Sequence, residues 1–343
     1  MKNHPFIIAE AGSNWKCGTF EQDLEQAKKL IQIASKSGAD AIKFQTYKSK
    51  TIYVENAGIS KYLSDSGYSE NINNMFDYLS MPYELIPKLA QLCSENKIIF
   101  MSTPFSVDDA KAIDPFVEIH KIASFEINHV RLLEFLASTK KPIILSTGAS
   151  TYDEIDFAVN FLKKAGCDDV TLLQCTSKYP CPLESLNLST IPKIQERYQL
   201  PVGLSDHSED PILAPVIATS LGATIIEKHF TIDKTLFGPD HKFALTPTEL
   251  DLMVKSIRNV NKIMGGGEKI ILDVEQELSK FATRSIQAIT DIKKGDRLIE
   301  GKNFQLLRPG NRKRGLPGKF FLDINNKYAT YDIKKGDGIE NYE

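Results

Sequence analysis

The sequence predicts a (β/α)8 TIM barrel followed by a small β-rich module, and three observations carry that prediction. Eight short apolar runs begin near residues 6, 41, 98, 118, 142, 170, 201 and 223, and helical runs follow nearly all of them. Eight repeats in about 260 residues fit a closed barrel better than an open doubly wound sheet. Polar residues then gather at the C-terminal ends of those runs: Glu10, Lys43, Gln45, Thr103, Lys121, Ser124, Ser146, Ser205, His207, Glu227 and His229. That is the face on which such barrels do chemistry, and helix N-termini point there too. Past Gly265, Gly266 and Gly267 the character changes, and from about residue 283 short apolar alternations and turns replace helical periodicity. The expected divisions are a barrel over 1–265, a linker over 266–282 and a C-terminal module over 283–343.

Each element has its own signal. FIIAEAGSN is a buried strand delivering Glu10 and Asn14 to its exit. A helix over about 21–36 puts Leu24, Ala27, Ile31 and Ala34 on one stripe and stops at Gly38. In the next strand, ADAIKFQTY, alternation sets Lys43 and Gln45 on one face and Phe44 on the other. A lysine there is costly unless an anion meets it, so Lys43 is a candidate anion ligand; the alternative is a stem snorkelling at the rim. Residues 48–80 read as polar and irregular, a connection long enough to serve as a lid or substrate loop. A helix over about 82–96 leads to KIIFMSTPF, which exits at Ser102 and Thr103 and ends at Pro104.

EIHKIASFE delivers Lys121, Ser124 and Glu126, and KPIILSTGAS delivers Ser146, Thr147 and Gly148. Thr151 and Glu154 form a capping box for a helix with Ile155, Ala158, Val159 and Leu162 on one face. DVTLLQCTSKYP brings Thr176 and Tyr179. The last two strands each run into a histidine, His207 and His229, 22 positions apart and flanked by Asp206 and Glu227. An apolar helical run over 212–221 lies between them and closes at Gly222. In a parallel barrel both strand ends share a face, so the two imidazoles are candidates for one divalent ion; the alternative is two histidines satisfied at the surface. Thr246, Pro247 and Glu249 cap the final barrel helix. In the C-terminal module the hexapeptide DIKKGD occurs at 291–296 and again at 332–337, an internal repeat. Between the copies Arg308, Arg312, Lys313 and Arg314 stand close together, either as a solvated loop or as a contact for an anionic or hydroxyl-rich ligand.

With 343 residues, 42% hydrophobic and 25% charged, the chain is long enough to bury a large core. A formal charge of −2 gives no global attraction for nucleic acid or anionic lipid, so any bound anion must be held locally. The N-terminal apolar run is too short for a signal peptide, and residues 213–226 are too short and too interrupted to span a bilayer, so a cytoplasmic protein without a membrane partner is expected. Five cysteines with no CxxC spacing argue for reduced thiols. Walker loops, GxGxxG turns and nucleophile elbows are missing. Composition and spacing alone stop at a metal-dependent lyase or transferase acting on small phosphorylated molecules.

In order along the chain, IIAEAGSN, IKFQTY, STPF, HKIASFE, ILSTGAS, QCTSKYP, GLSDHS and IEKHF resemble the sialic acid synthase family. RPG near the end resembles the antifreeze-like (SAF) module of those synthases, so the likeness covers almost the whole chain. It implies a transferase that condenses phosphoenolpyruvate with an N-acylated amino-hexose and water, giving a nine-carbon 2-keto sugar acid and phosphate. It also implies a homodimer in which the C-terminal module of one subunit caps the site of the other. His207 and His229 would hold Mn2+, or Mg2+ or Co2+, and Glu10, Glu227, Lys43 and Lys121 would be catalytic. Lys43, Thr103, Lys121, Ser124, Ser146 and Ser205 would hold phosphoenolpyruvate; Gln45, Tyr179, Asp240 and a partner subunit's Arg308 would hold the sugar. Three departures are expected near the sugar. Trp15 stands where many members have histidine, Ala244 replaces the serine after GPDH, and the asparagine for the N-acyl group is one of Asn71, Asn73 and Asn74. Competing readings are a sibling phosphoenolpyruvate aldol synthase acting on another aldose, or a non-catalytic sugar-binding barrel.

Overall fold

The computed structural model describes residues 4–59 and 71–343. Two compact units divide at residue 265, Met1–Gly265 and Gly266–Glu343. The first contains β1 (Phe6–Gly12), α1 (Phe20–Lys36), β2 (Ala41–Thr46), α2 (Ser49–Ile52), α3 (Ile72–Leu79), α4 (Leu85–Glu95), β3 (Ile99–Pro104) and α5 (Val107–Ile113). It continues through β4 (His120–Ile122), α6 (Val130–Ser138), β5 (Ile143–Ser146), α7 (Tyr152–Lys164), β6 (Val170–Cys175) and α8 (Thr190–Tyr198). It ends with β7 (Val202–Asp206), α9 (Leu213–Ser220), β8 (Ile225–His229) and α10 (Pro247–Met264). The eight strands hydrogen-bond in the order β3-β2-β1-β8-β7-β6-β5-β4, the paired neighbours run parallel, and β3 packs beside β4. The eight-stranded α/β barrel is therefore as expected.

Alternation along these strands builds two cores. Inward positions low in the barrel are apolar, with Ile8, Ala41, Met101, Ile144, Leu173 and Ile225 forming a plug beneath the C-terminal rim. Outward positions such as Ile7, Ala9, Ile42 and Phe44 pack against the helices, where Leu30, Leu89 and Leu133 meet them. Helix starts follow the expected chemistry. Thr19 with Gln22, Thr151 with Glu154 and Thr246 with Glu249 are complete capping boxes.

The stretch over 48–80 departs from the reading as irregular, because α2 and α3 lie within it; residues 60–70 fall outside the described residues. The apolar residues of α3 explain its helix: Ile72 and Leu79 are buried, and Phe76 stacks on Tyr47 and Tyr53. Trp15, on the turn after β1, is fully buried in the outer core, and Ala244 is buried too; neither lines the cavity described below.

The second unit contains α11 (Gln276–Ala282), β9 (Ser285–Ala288), β10 (Phe304–Leu307) and α12 (Phe321–Ile324) around a small core that includes Ile286, Leu298, Phe304 and Ile339. β9 and β10 are antiparallel. The two DIKKGD copies pair with each other: Ile292 and Ile333 exchange backbone hydrogen bonds of 2.9 and 2.8 Å. Asp332 accepts from the Lys294 amide and Asp291 from the Lys335 amide, so each copy caps the turn of the other.

Candidate active site

β7 and β8 run in register, so residues 22 apart become neighbours. Ser205 pairs with Glu227 and Asp206 with Lys228, and just beyond them the His207 and His229 rings stand with centroids 5.6 Å apart. β1 lies on the other side of β8, placing Glu10 opposite His229 and Lys43 of β2 opposite Glu10. β1 bulges between Glu10 and Gly12. Gly12 has φ +53°, and an added Cβ would sit 2.8 Å from Asp240 Oδ2 and 3.2 Å from the His229 ring, so a side chain there would be strained and would press on both.

These strand ends open into one cavity of about 650 Å3. Glu10, Lys43, Gln45, Thr103, Lys121, Ser124, Ser146, Tyr179, Ser205, His207, Glu227, His229 and Asp240 all line it. Arg308 lies in the second unit, exposed, and is not among the lining residues. Nor are Asn71, Asn73 and Asn74. Asn71 caps α3, while Asn73 ties to Ala57, Ser49 and Val54.

The floor is a buried charge network. Lys43 Nζ lies 2.7 Å from Glu10 Oε2, donates to Thr103 Oγ1 at 2.9 Å, and stands 3.8 Å from Glu227 Oε2. Lys121 Nζ donates to Ser146 Oγ at 2.7 Å and to the Ile122 carbonyl, with Glu227 Oε1 4.0 Å away. Gln45 donates to Glu10 and Ser205 donates to Glu227. The two carboxyls are driven apart. Burial, helped by the nearby Glu227 charge, pushes Glu10 up to about 7 against the pull of Lys43. Burial acts on Glu227 as well, yet Lys121 and Lys43 outweigh it and hold that carboxyl low. Burial drives Lys121 below the usual lysine range, whereas Glu10 and Glu227 overcome burial and keep Lys43 high. The floor thus offers one carboxylate fixed as an anion and one poised for proton transfer near neutrality.

Above the floor, His207 Nδ1 and the Thr176 carbonyl are 2.9 Å apart, which makes Nδ1 the donor; burial pulls the ring's pKa down, but Cys175 and that carbonyl outweigh it and raise it, so Nε2 offers a lone pair once its proton is lost. The Tyr179 ring rests 4.2 Å from the His207 ring. Burial, with His207 and Lys43 nearby, sends His229 well below the ordinary histidine range, so it is a neutral imidazole. Its Nδ1 is buried with no hydrogen-bond partner among the described residues, and Asp240 Oδ2 is 3.9 Å away. Asp240 is oriented by Ser13 Oγ at 3.1 Å. Among the described residues no three His, Cys, Asp or Glu side chains converge as a closed cage. His229, a neutral imidazole, and His207, once its Nε2 gives up the proton that Cys175 and the Thr176 carbonyl favour, fit an ion whose other positions are filled by water or substrate.

The wall toward α2 and α3 is apolar, built from Tyr47, Ile52, Tyr53, Phe76 and Phe105. Glu126, Ser177 and Cys175 stand among the lining residues that received no site role from sequence. Glu126 is buried with Oε2 unpartnered among the described residues, and burial lifts its carboxyl to about 8 although Lys121 pulls it down. Ser177 Oγ is likewise unpartnered, and Cys175 faces the same space. Glu126 was legible as a strand-end residue; its missing partner was not.

A model of the NeuB family matches residues 30–269. The chain is 38% identical to the spore coat polysaccharide biosynthesis protein SpsE of Bacillus subtilis (strain 168), covering 97% of this chain and 92% of that one. It is 37% identical to the N,N'-diacetyllegionaminic acid synthase of Campylobacter jejuni subsp. jejuni, covering 97% and 98%. The crystal structure of N-acetylneuraminic acid synthetase from Leptospira borgpetersenii serovar Hardjo-bovis, in complex with citrate, superposes with a TM-score of 0.70 at 35% identity over 80% of this chain and 90% of that chain.

Proposed function

The chain belongs to the NeuB family, and from that premise and the cavity floor we propose that it is a nonulosonic acid synthase. It condenses phosphoenolpyruvate with an N-acetylmannosamine-type amino-hexose and water to give a nine-carbon 2-keto sugar acid and phosphate. The observation that carries this reading is the Glu10, Lys43, Glu227, Lys121 quartet facing the His207–His229 pair across one cavity.

Lys43, Lys121 and the hydroxyls of Thr103, Ser124, Ser146 and Ser205 bind the phosphate and carboxylate of phosphoenolpyruvate; these groups are donors already aimed inward. His207 and His229 would hold a divalent ion, Mn2+ with Mg2+ or Co2+ as alternatives, and that ion would supply Lewis-acid polarisation of the sugar aldehyde. Gln45, Tyr179 and Asp240 orient the sugar, Glu126 joins them from the rim, and a partner subunit supplies Arg308. A carbon–carbon bond forms between C3 of the enol and the aldehyde carbon as the aldehyde C=O π bond opens. Water held by Glu10 adds at C2; one of its protons passes through that carboxylate to the former aldehyde oxygen, and the C2–O bond to phosphate breaks as the C2 hydroxyl becomes the keto group and its proton leaves with phosphate. Glu227, held anionic, stabilises the positive charge at C2.

The homodimer is supported by an exposed apolar linker: Ile270, Ile271, Leu272, Val274 and Leu278 are each more than half exposed. A cytoplasmic setting agrees with the finding that no helix among the described residues is long and apolar enough to cross a membrane.

The test incubates the full chain with phosphoenolpyruvate, Mn2+ and a panel of N-acylated amino-hexoses and phosphorylated aldoses, with and without chelator, and follows free phosphate. Phosphate release with an amino-hexose, lost on chelation, is expected. Phosphoenolpyruvate labelled with 18O at the bridging oxygen should place the label in phosphate. Turnover that survives chelation, or occurs only with phosphorylated aldoses, overturns the reading.

A further inference from the structure

Lys228 follows Glu227 on β8, and strand alternation turns it away from the cavity that Glu227 and His229 line. It is 2% exposed. Its Nζ donates to Asp206 Oδ2 at 2.5 Å, to the Ser208 carbonyl at 2.5 Å and to Ser208 Oγ at 3.2 Å. Asp206 Oδ1 in turn accepts from the Ser208 amide at 2.8 Å. The residues gripped are the two that flank His207. Strand pairing between β7 and β8 ends at the Asp206–Lys228 rung, so His207 lies one residue past the ladder.

We infer that Lys228 is a positioning residue: from behind the strand ends it sets the spacing of His207 and His229, and so the affinity of the pair for a divalent cation. The inference rests on the reading of those histidines as a metal pair. Other contacts fix different aspects of His207. Thr176 sets the ring rotation through Nδ1, and Cys181 N–H holds the His207 carbonyl at 2.8 Å. Lys228 ties the segment to β8, the strand that carries His229. Stability is a poor account of this pair. Burying an ammonium and a carboxylate costs several kcal/mol each, and apolar replacements of such pairs are often as stable or more so. What an apolar pair cannot supply is three directed bonds that hold both neighbours of His207 at once. Groups placed behind metal-binding histidines typically change metal affinity about 10–100-fold when removed.

The experiment uses the full chain and the variants Lys228→Met and Lys228→Met/Asp206→Asn; the second removes both charges so that no carboxylate is left buried alone. Mn2+ affinity without substrate is read by electron paramagnetic resonance, phosphoenolpyruvate affinity by calorimetry, and the His207–His229 separation by crystallography. The expected result is Mn2+ binding weakened about 10–100-fold, phosphoenolpyruvate affinity unchanged and a changed ring separation. If Lys228→Met does not fold, the double variant is read in its place. Parental Mn2+ affinity in a folded variant overturns the inference, as does a parallel loss of phosphoenolpyruvate binding. If the parent chain itself binds no Mn2+, the metal reading fails first, and an unchanged ring separation in the variant then removes the positioning role as well.

Discussion

Glu126 shows how much one buried carboxyl can report. The folded chain keeps its proton to about pH 8, whereas an unperturbed glutamate releases it near 4.5. Over that window the folded state binds the extra proton, so stability falls as pH rises from about 4.5 to about 8 and is level beyond. Glu126→Gln lacks this slope. The melting-temperature difference between variant and parent should therefore widen across the window in the variant's favour, and parallel curves would show that Glu126 is ionised throughout. Residue identity was legible wherever a polar side chain ended an apolar run, and the family resemblance added Asp240; these line one cavity, whereas Arg308 and the asparagines Asn71, Asn73 and Asn74, also drawn from the resemblance, do not. Charge state was not legible, because Glu10 and Glu227 differ in direction through the ion pairs around each, not through residue type. Lys228 went unassigned: it stands 22 positions from Asp206, as His229 does from His207, but it faces away from the cavity, and a lone lysine in a strand announces no partner.

At the scale of elements, close strand contact governs the site. A Cβ on Gly203 of β7 would sit 2.4 Å from the Ile225 carbonyl of β8 and 2.7 Å from Leu173 Cδ2. Gly203→Ala must therefore spread the strands that carry Ser205, His207, Glu227 and His229. Overpacking of this kind costs about 1–3 kcal/mol, and both the melting temperature and kcat/KM should fall. Retention of both would show that the ladder yields locally. Strands and most helices were readable because their periods differ. The stretch over 48–80 was misread because α2 is a single turn and α3 only eight residues long, and polar residues around them mask so short a period. Asn73 bridges Ala57, Ser49 and Val54, contacts that no local pattern announces.

For the whole molecule, the two units call for separate tests. Arg308→Ala should raise the sugar KM several-fold and leave phosphoenolpyruvate binding intact; unchanged sugar kinetics would remove the cross-subunit cap. Val274→Asp with Leu278→Asp places charge on the most exposed part of the apolar linker. If the proposed homodimer forms through it, sedimentation should show a dimeric parent and a monomeric variant at the same concentration, with activity lost in step; a parent that is itself monomeric, or an unchanged variant profile, would count against that interface. The repeat of DIKKGD announced a module with an internal repeat, but the sequence did not show that the copies pair or that each caps the other.

The burial of Trp15 has a practical corollary. The chain has one tryptophan, sealed in the first unit with no exposure. Indole emission at long-wavelength excitation therefore comes from a single apolar setting and should lie toward the blue. During denaturation its red shift times the opening of the barrel alone, while the C-terminal unit, which contains only tyrosine and phenylalanine as aromatic residues, melts unseen in that channel. Comparing this signal with far-ultraviolet circular dichroism would reveal whether the two units come apart together or in sequence.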